Sequence, residues 1–355
     1  MSADATSAGD WTRDQVLTVD GTVLPVRATA RRPTWDQLPA AVRRRIETLA
    51  GSHVVHSRSA GTGFTPGFAS RLDLADGSRI FVKAGVTADD SLHGWNLARA
   101  YREEARKLHV LPDGIGAPTL LWNLDELISD QTWVVLCFEY VDGVPPRRPW
   151  RVDELTAVLD KLQATAPVLT SPPASLNLST FAEDLSEYPD WVTYIRSRDG
   201  DSSWLHTVER LAHESVERCA GSGFQHLDLR DDNILLGTDG RVWICDWNSP
   251  ALAAPWLDLV CVLMSARGDG HDCDAILAAH GLTQAVEARS IDALLALLWL
   301  YFTNRCEAAV PPQSPHLRDH QRWYRDVVRG WLEERLAPST SRLVRPVTLT
   351  NAPLM

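Results

Sequence analysis

The stretch VDGVPPRRP, residues 141–149, separates two unlike halves of this chain. Proline and glycine interrupt both strands and helices, so the stretch reads as a linker. Before it the pattern is mainly β. FASRLDL alternates apolar and polar residues, Asp76-Gly77 turns the chain, and RIFVKA returns as a second strand. TLLWNL and TWVVLCFEYV are further apolar stretches of strand length. One helix interrupts them, through LARAYREEARKLHVL, with Leu97, Tyr101, Ala105 and Leu108 on one face. After the linker, VDELTAVLDKLQAT and WLHTVERLAHESVERC have helical spacing, GFQHLDLRDDNILL and RVWICDW make a β-like interruption, and after Asp258 the chain is helical almost to its end. Strands and helices do not alternate, which argues against a parallel βαβ sheet. The predicted class is α+β, with a β-rich lobe joined to a mostly helical one. A length of 355 residues suits two such lobes better than one core.

Four segments follow from this reading. Residues 1–50 form an N-terminal extension. It holds a hairpin in VLTVDGTVLPV, turning at Asp20-Gly21, and a helix running from an N-cap at Thr34 to Gly51. Residues 51–142 are the β-rich lobe, 143–336 the helical lobe and 337–355 a tail without helical pattern.

A net charge of -11 argues against a general electrostatic hold on nucleic acid or an anionic membrane. The longest apolar run, residues 293–302, is too short for a membrane span and reads as a buried helix. The first residues lack the basic-then-apolar pattern of a secretory leader. The six cysteines are scattered without a CxxC pair and read as reduced core thiols. Together these features predict a cytoplasmic protein.

The densest polar feature is GFQHLDLRDDNILL, residues 223–236, where three aspartates precede a buried-looking strand. LGTDGRVW then supplies a hairpin that returns the chain to ICDW. The hairpin folds Asn233 back towards Asp246. One amide and one carboxylate then face one point, which is hard-cation chemistry suited to magnesium held together with nucleotide phosphates. Asp228 sits apart, placed to accept a proton from an attacking hydroxyl. HDCD, from His271 to Asp274, reads as a polar loop.

These residues resemble the catalytic loop HxDxxxxN of the protein-kinase-like superfamily, and within it the aminoglycoside phosphotransferase family. Ile244-Cys245-Asp246-Trp247 is similar to that family's metal-binding segment. Pro255-Trp256-Leu257-Asp258-Leu259 is similar to its next segment, whose aspartate braces the catalytic loop. The upstream parts arrive in the family's order over residues 60–260.

The resemblance implies a bilobal kinase-like fold and an ATP-dependent small-molecule kinase. Lys83, on the third strand of the β-rich lobe, would reach the nucleotide phosphates. Glu103 and Glu104 both qualify by position as its partner, and the family's helix pattern favours Glu104. Gly61, Thr62 and Gly63 would lie over the phosphates, although the glycine spacing departs from the kinase GxGxxG. Phe138, Glu139 and Val141 would form the adenine hinge. Asn233 and Asp246 would hold Mg2+, and Asp228 would be the base, with His226 orienting the loop. Arg230 has two readings, neutralising the transferred phosphate or pairing with Asp231 or Asp232.

The implied partners are ATP or GTP and a hydroxylated small-molecule acceptor, either an aminoglycoside or other antibiotic, or a sugar, choline-like or amino-acid metabolite. Asp184, Glu187, Glu307, Glu333 and Glu334 are acidic candidates for a cationic acceptor. A protein kinase is the nearest enzyme alternative, but Asp258 follows Asp246 too closely for a long activation loop. A non-catalytic nucleotide-binding pseudokinase is the alternative of a different class.

Overall fold

A computed structural model describes residues 15–17, 23–27, 29–87 and 96–338. Two short strands come first, β1 (Gln15–Leu17) and β2 (Val23–Pro25), and they pair antiparallel. The expected turn at Asp20-Gly21 lies outside the described residues, as do residues 339–355 of the tail.

The expected helix from Thr34 to Gly51 is broken in two. Thr34 caps a single 3-10 turn (Trp35–Gln37), and α1 spans Ala40–Ala50. Pro39 is the reason. It forces Leu38 into an extended conformation, with ψ at 144°, because the proline ring clashes with an α-helical residue before it. Gly51 ends α1 with φ at +72°, as a C-terminal glycine should.

A five-stranded antiparallel sheet follows, made of β3 (Val54–Ser59), β4 (Phe68–Leu74), β5 (Arg79–Val86), β6 (Leu120–Ile128) and β7 (Gln131–Glu139), in the order β3-β4-β5-β7-β6. Helix α2 (Leu97–Leu108) enters between β5 and β6. The strand period of two divides β7 between two cores. Trp133, Val135 and Cys137 face α1, where Trp35, Val42 and Ile46 complete one cluster. Val134, Leu136 and Phe138 face α2, with Leu97, Ala98, Tyr101 and Ala105. The sheet is therefore covered on both faces, which explains why β7 reads as a continuous apolar run.

The same alternation positions Lys83. On β5, Ile80, Val82 and Ala84 belong to the α1 cluster, so the intervening residues Phe81 and Lys83 turn to the α2 face. Gly85 lets α2 lie close. A Cβ there would stand 2.8 Å from Leu97 Cγ and 3.3 Å from the Tyr101 ring.

The second lobe begins with β8 (Gly143–Val144) and α3 (Val152–Leu169), then α4 (Phe181–Asp184), α5 (Tyr188–Asp199) and α6 (Ser203–Arg218). Strands β9 (Gly223–Gln225), β10 (Ile234–Gly237), β11 (Val242–Ile244) and β12 (Ala251–Ala253) make two small sheets, β11-β10-β8 and β12-β9. Helices α7 (Leu257–Gly268), α8 (Cys273–Ala279), α9 (Ala288–Arg305) and α10 (Leu317–Leu336) close the lobe. Helix α9 packs against α5, α6 and α10 and is buried over most of its length, the expected fate of the apolar run 293–302.

Among the described residues no helix is long and apolar enough to cross a membrane. The cysteines are all free thiols, and burial pushes Cys137 and Cys219 up to about 12.

Candidate active site

Lys83 is the centre of an ion cluster that joins the lobes. Its Nζ donates to Glu104 Oε1 at 2.7 Å and Oε2 at 3.0 Å, and to Asp246 Oδ1 at 2.8 Å. Burial by itself would lower the Lys83 pKa, but the carboxylates of Asp246 and Glu104 outweigh it and raise it, so the ammonium stays charged. Glu104, whose side chain is 1% exposed, is pushed up by burial, against the pull of Lys83. Asp246 is held below the usual carboxylate range because Lys83 outweighs its burial. Glu103 instead pairs with Arg106 at 3.0 Å on the helix surface. The choice left between the two glutamates thus falls to Glu104 for a geometric reason, since Glu104 lies on the buried face of α2.

The hairpin of β10 and β11 places the next two residues. Ile234 pairs with Ile244, and the Cys245 amide donates to Asn233 O at 2.8 Å, so Asn233 and Asp246 flank the open end of one hairpin. Asn233 Nδ2 donates to the Asp228 carbonyl at 2.7 Å. With that nitrogen committed, the amide oxygen is the atom left to ligate a cation. No group of three or more His, Cys, Asp or Glu able to hold a metal exists among the described residues. One amide and one carboxylate do not cage an ion by themselves. They fit Mg2+, which keeps waters and takes phosphate oxygens as further ligands.

The loop carrying Asp228 is held from below. The amides of His226 and Leu227 donate to the two oxygens of Asp258, at 2.7 and 2.8 Å, from the first turn of α7. These bonds hold Leu227 at φ +62°, and Asp246 sits at φ +70°; such conformations cost a side-chain-bearing residue about 1–2 kcal/mol each. His226 Nε2 donates to Cys245 O at 2.8 Å, and its Nδ1 accepts from the Asp228 amide at 3.3 Å, which assigns the tautomer. The imidazole thus ties the Asp228 loop to the Asp246 segment.

The Asp228 side chain is 44% exposed to the cleft. Desolvation by the surrounding protein raises its pKa, opposed by the charge of Arg230. Arg230 pairs with Asp228 and grips Asp232 at 2.9 and 3.1 Å. Asp231 takes another partner: Arg148 Nη1 lies 2.9 Å away, and the same guanidinium binds Asp269 at 2.6 Å. Arg230 is therefore both an ion-pair partner and a cation beside the candidate base.

Gly61, Thr62 and Gly63 form a loop over this centre. Gly63 has φ +77°, and Thr62 Oγ1 donates to Asp232 O at 3.5 Å across the lobes. The Phe138 ring lies 5.5 Å from Lys83 Nζ. The Glu139 carboxylate accepts from the Thr119 amide and hydroxyl at 2.7 and 2.6 Å. Residues 61–63, Lys83, Glu104, Phe138, Glu139, Val141, Asp228, Arg230, Asn233 and Asp246 all line one cavity of about 1670 Å3.

The acidic acceptor candidates do not converge. Asp184 lines the cavity. Glu187 pairs with Arg305 at 3.9 Å, Glu307 with Arg198 at 3.4 Å, Glu333 with Arg329 at 2.8 Å, and Glu334 with Arg267. His271 donates to Trp150 O at 2.9 Å, as a structural loop residue does.

Sequence reasoning missed Arg32. Its guanidinium sits under the glycine loop, although nothing in ARRPTW marks it locally. Only the path of the N-terminal segment brings it there.

The model of the phosphotransferase enzyme family matches residues 86–294. No curated protein matches the sequence. Solved structures are similar in fold at low identity. A choline kinase from Streptococcus pneumoniae is 16% identical over 82% of this chain and 98% of its own, with a TM-score of 0.51. A spectinomycin phosphotransferase in complex with ADP and spectinomycin is 15% identical over 82% and 98%, with a TM-score of 0.52. A choline/ethanolamine kinase family protein from Mesorhizobium loti is 14% identical over 84% and 95%, with a TM-score of 0.55.

Proposed function

Because the chain belongs to the phosphotransferase enzyme family, we propose that it moves the γ-phosphate of ATP or GTP to a hydroxyl of a small molecule. The observation that carries this reading is Lys83 bridging Glu104 and Asp246, with Asp228 and Asn233 on the facing loop of the same cavity. Phosphoryl transfer needs little covalent help from a protein; positioning and charge neutralisation supply most of the rate.

In this reading the nucleotide lies between the lobes. Its base lies along Phe138, Glu139 and Val141, and Lys83 grips its inner phosphates. Asn233 and Asp246 hold Mg2+, which when bound neutralises phosphate charge. Asp228 accepts the proton of the acceptor hydroxyl. A carboxylate with a raised pKa is a better base than an ordinary one, and the charge of Arg230 favours its ionised form. Structures of similar fold are described with ADP and spectinomycin, or with AMP-PNP and Ca2+, which supports a nucleotide and a divalent cation here.

The acceptor side favours a molecule with an apolar face over a polycation. Leu185, Leu298, Tyr301 and Leu317 line it half-buried, with Tyr324 beneath. Most cavity carboxylates are already engaged: Glu104 and Asp246 by Lys83, Asp228 and Asp232 by Arg230, Asp142 by Arg79 at 3.8 Å, and Glu139 by Thr119. Asp184 remains, and one carboxylate is a poor match for several ammonium groups.

The test is transfer from γ-labelled ATP and GTP into a panel of hydroxylated small molecules, with mass spectrometry of the product. The panel should span apolar antibiotics, aminoglycosides, sugars and choline-like alcohols. Acceptor-dependent label in a product supports the reading. Tight nucleotide binding with no transfer into any class would refute it.

A further inference from the structure

The segment ahead of α1 runs along the mouth of the cleft and touches both lobes. His320 Nε2 donates to Pro25 O at 2.8 Å, Arg27 Nη2 to Pro146 O at 2.7 Å, and the Arg31 amide to Gln313 O at 2.7 Å. From this track two side chains reach the glycine loop. Thr29 Oγ1 donates to Gly63 O at 2.7 Å. Arg32 donates from Nη1 to Ala60 O at 3.2 Å, and from Nη2 to Thr62 O at 2.7 Å and Gly63 O at 3.3 Å.

Three carbonyl oxygens of a phosphate-covering loop would repel a phosphate if left bare. A guanidinium set against them reverses the local sign of the field. Gly63 is packed onto this arginine, since a Cβ there would stand 3.2 Å from Arg32 Nη2 and 3.9 Å from Asp232 Oδ2. Arg32, the glycine loop and the Asp228–Asp232 loop therefore meet at one place. The guanidinium has a donor to spare. Of its five N–H groups, both on Nη2 and one on Nη1 go to the three carbonyls and Nε is buried, which leaves the second Nη1 N–H uncommitted in the cavity that Arg32 lines. Residue 32 also lies outside the stretch that the family model matches.

We propose that Arg32 is a phosphate-binding residue of the donor site, delivered by the N-terminal segment opposite Lys83. It caps the loop carbonyls and offers its charge and its remaining Nη1 N–H to the outer phosphates of the nucleoside triphosphate. The proposal rests on the donor reading given above. Its distinguishing consequence is selectivity for phosphate number, because a cation under residues 60–63 reads outer phosphates and not the base.

The experiment compares full-length wild type with Arg32→Gln, Arg32→Lys and Thr29→Val. Dissociation constants for AMP, ADP and ATP with Mg2+ are measured by calorimetry, and circular dichroism confirms matched folding. Glutamine keeps an amide donor for the carbonyls but removes the charge, so ATP should weaken about tenfold in Arg32→Gln while AMP stays within about threefold. Arg32→Lys should recover most of the loss. Thr29→Val cuts a loop tie without touching charge and should leave the ATP-to-AMP ratio unchanged. An unchanged ratio in Arg32→Gln overturns the phosphate role, as does an equal loss in Thr29→Val. If wild type binds none of the three nucleotides, the donor reading itself falls.

Discussion

Lys83 Nζ stands 2.7 Å from Glu104 and 2.8 Å from Asp246, so one ammonium joins a strand, a helix and the opposite lobe. Its charge matters to stability as much as to chemistry. Glu104 is nearly inaccessible and has Lys83 as its counter-ion. Lys83→Met should cost about 3–5 kcal/mol in urea unfolding, because breaking a buried pair strands the remaining charge. Lys83→Met with Glu104→Gln should recover part of that loss. The pH dependence has a defined sign. The folded-state pKa of Glu104 is already above its usual 4.5, at about 7, and rises further without Lys83. The single variant should therefore be most stable in acid and lose stability as pH rises from about 4.5 through that value.

Asp228→Asn should keep nucleotide affinity within about threefold and lower transfer by about 100- to 10,000-fold, the usual worth of a general base. The fold survives because Asn233 bonds chiefly to the Asp228 carbonyl, not to its carboxylate. In wild type the raised Asp228 pKa predicts that kcat/KM falls on the acid side at a pH above the ordinary aspartate value. A rate flat down to the usual aspartate value would argue against Asp228 as the base.

Asp258→Ala leaves two buried amides, those of His226 and Leu227, without acceptors. The loss should be about 3 kcal/mol in denaturant titration, since each bond is to a charged group. Leu227 would no longer be held at φ +62°. The Asp228 loop should relax, so kcat should drop far more than nucleotide KM rises. Matched effects on both constants would place the role of Asp258 in stability alone.

Arg148 holds Asp231 from the Asp228 loop and Asp269 from the end of α7, with all three side chains at most 7% exposed. Arg148→Met should destabilise by about 3–5 kcal/mol, because it leaves two buried carboxylates unpaired. A thermal melt of the variant beside wild type at neutral pH measures the loss, and an unchanged midpoint would refute it.

Much of the site was legible because its parts lie close in sequence. Asp228 and Asn233 share one loop, and a hairpin of ordinary turn chemistry brings Asn233 back to Asp246. The break between lobes shows as proline and glycine at 143–149, and the period of two on β5 sets Lys83 apart from its apolar neighbours. Helix α1 was misjudged at its start because the expected helix ran from Thr34 straight through Pro39, whose ring holds Leu38 extended.

Local pattern thus determined most of the elements that form and which residues are candidates for chemistry, because strand period, turn glycines and motif spacing are properties of neighbours. Tertiary structure decided the pairings. Glu104 and not Glu103 meets Lys83 because the α2 helix turns its buried face to the sheet. Arg148, 83 positions before Asp231, takes that carboxylate and leaves Arg230 to Asp228 and Asp232. Arg32 reaches the glycine loop because the N-terminal segment crosses the cleft. These are choices among charges far apart in the chain, and they are settled by which of them packing brings within hydrogen-bond reach.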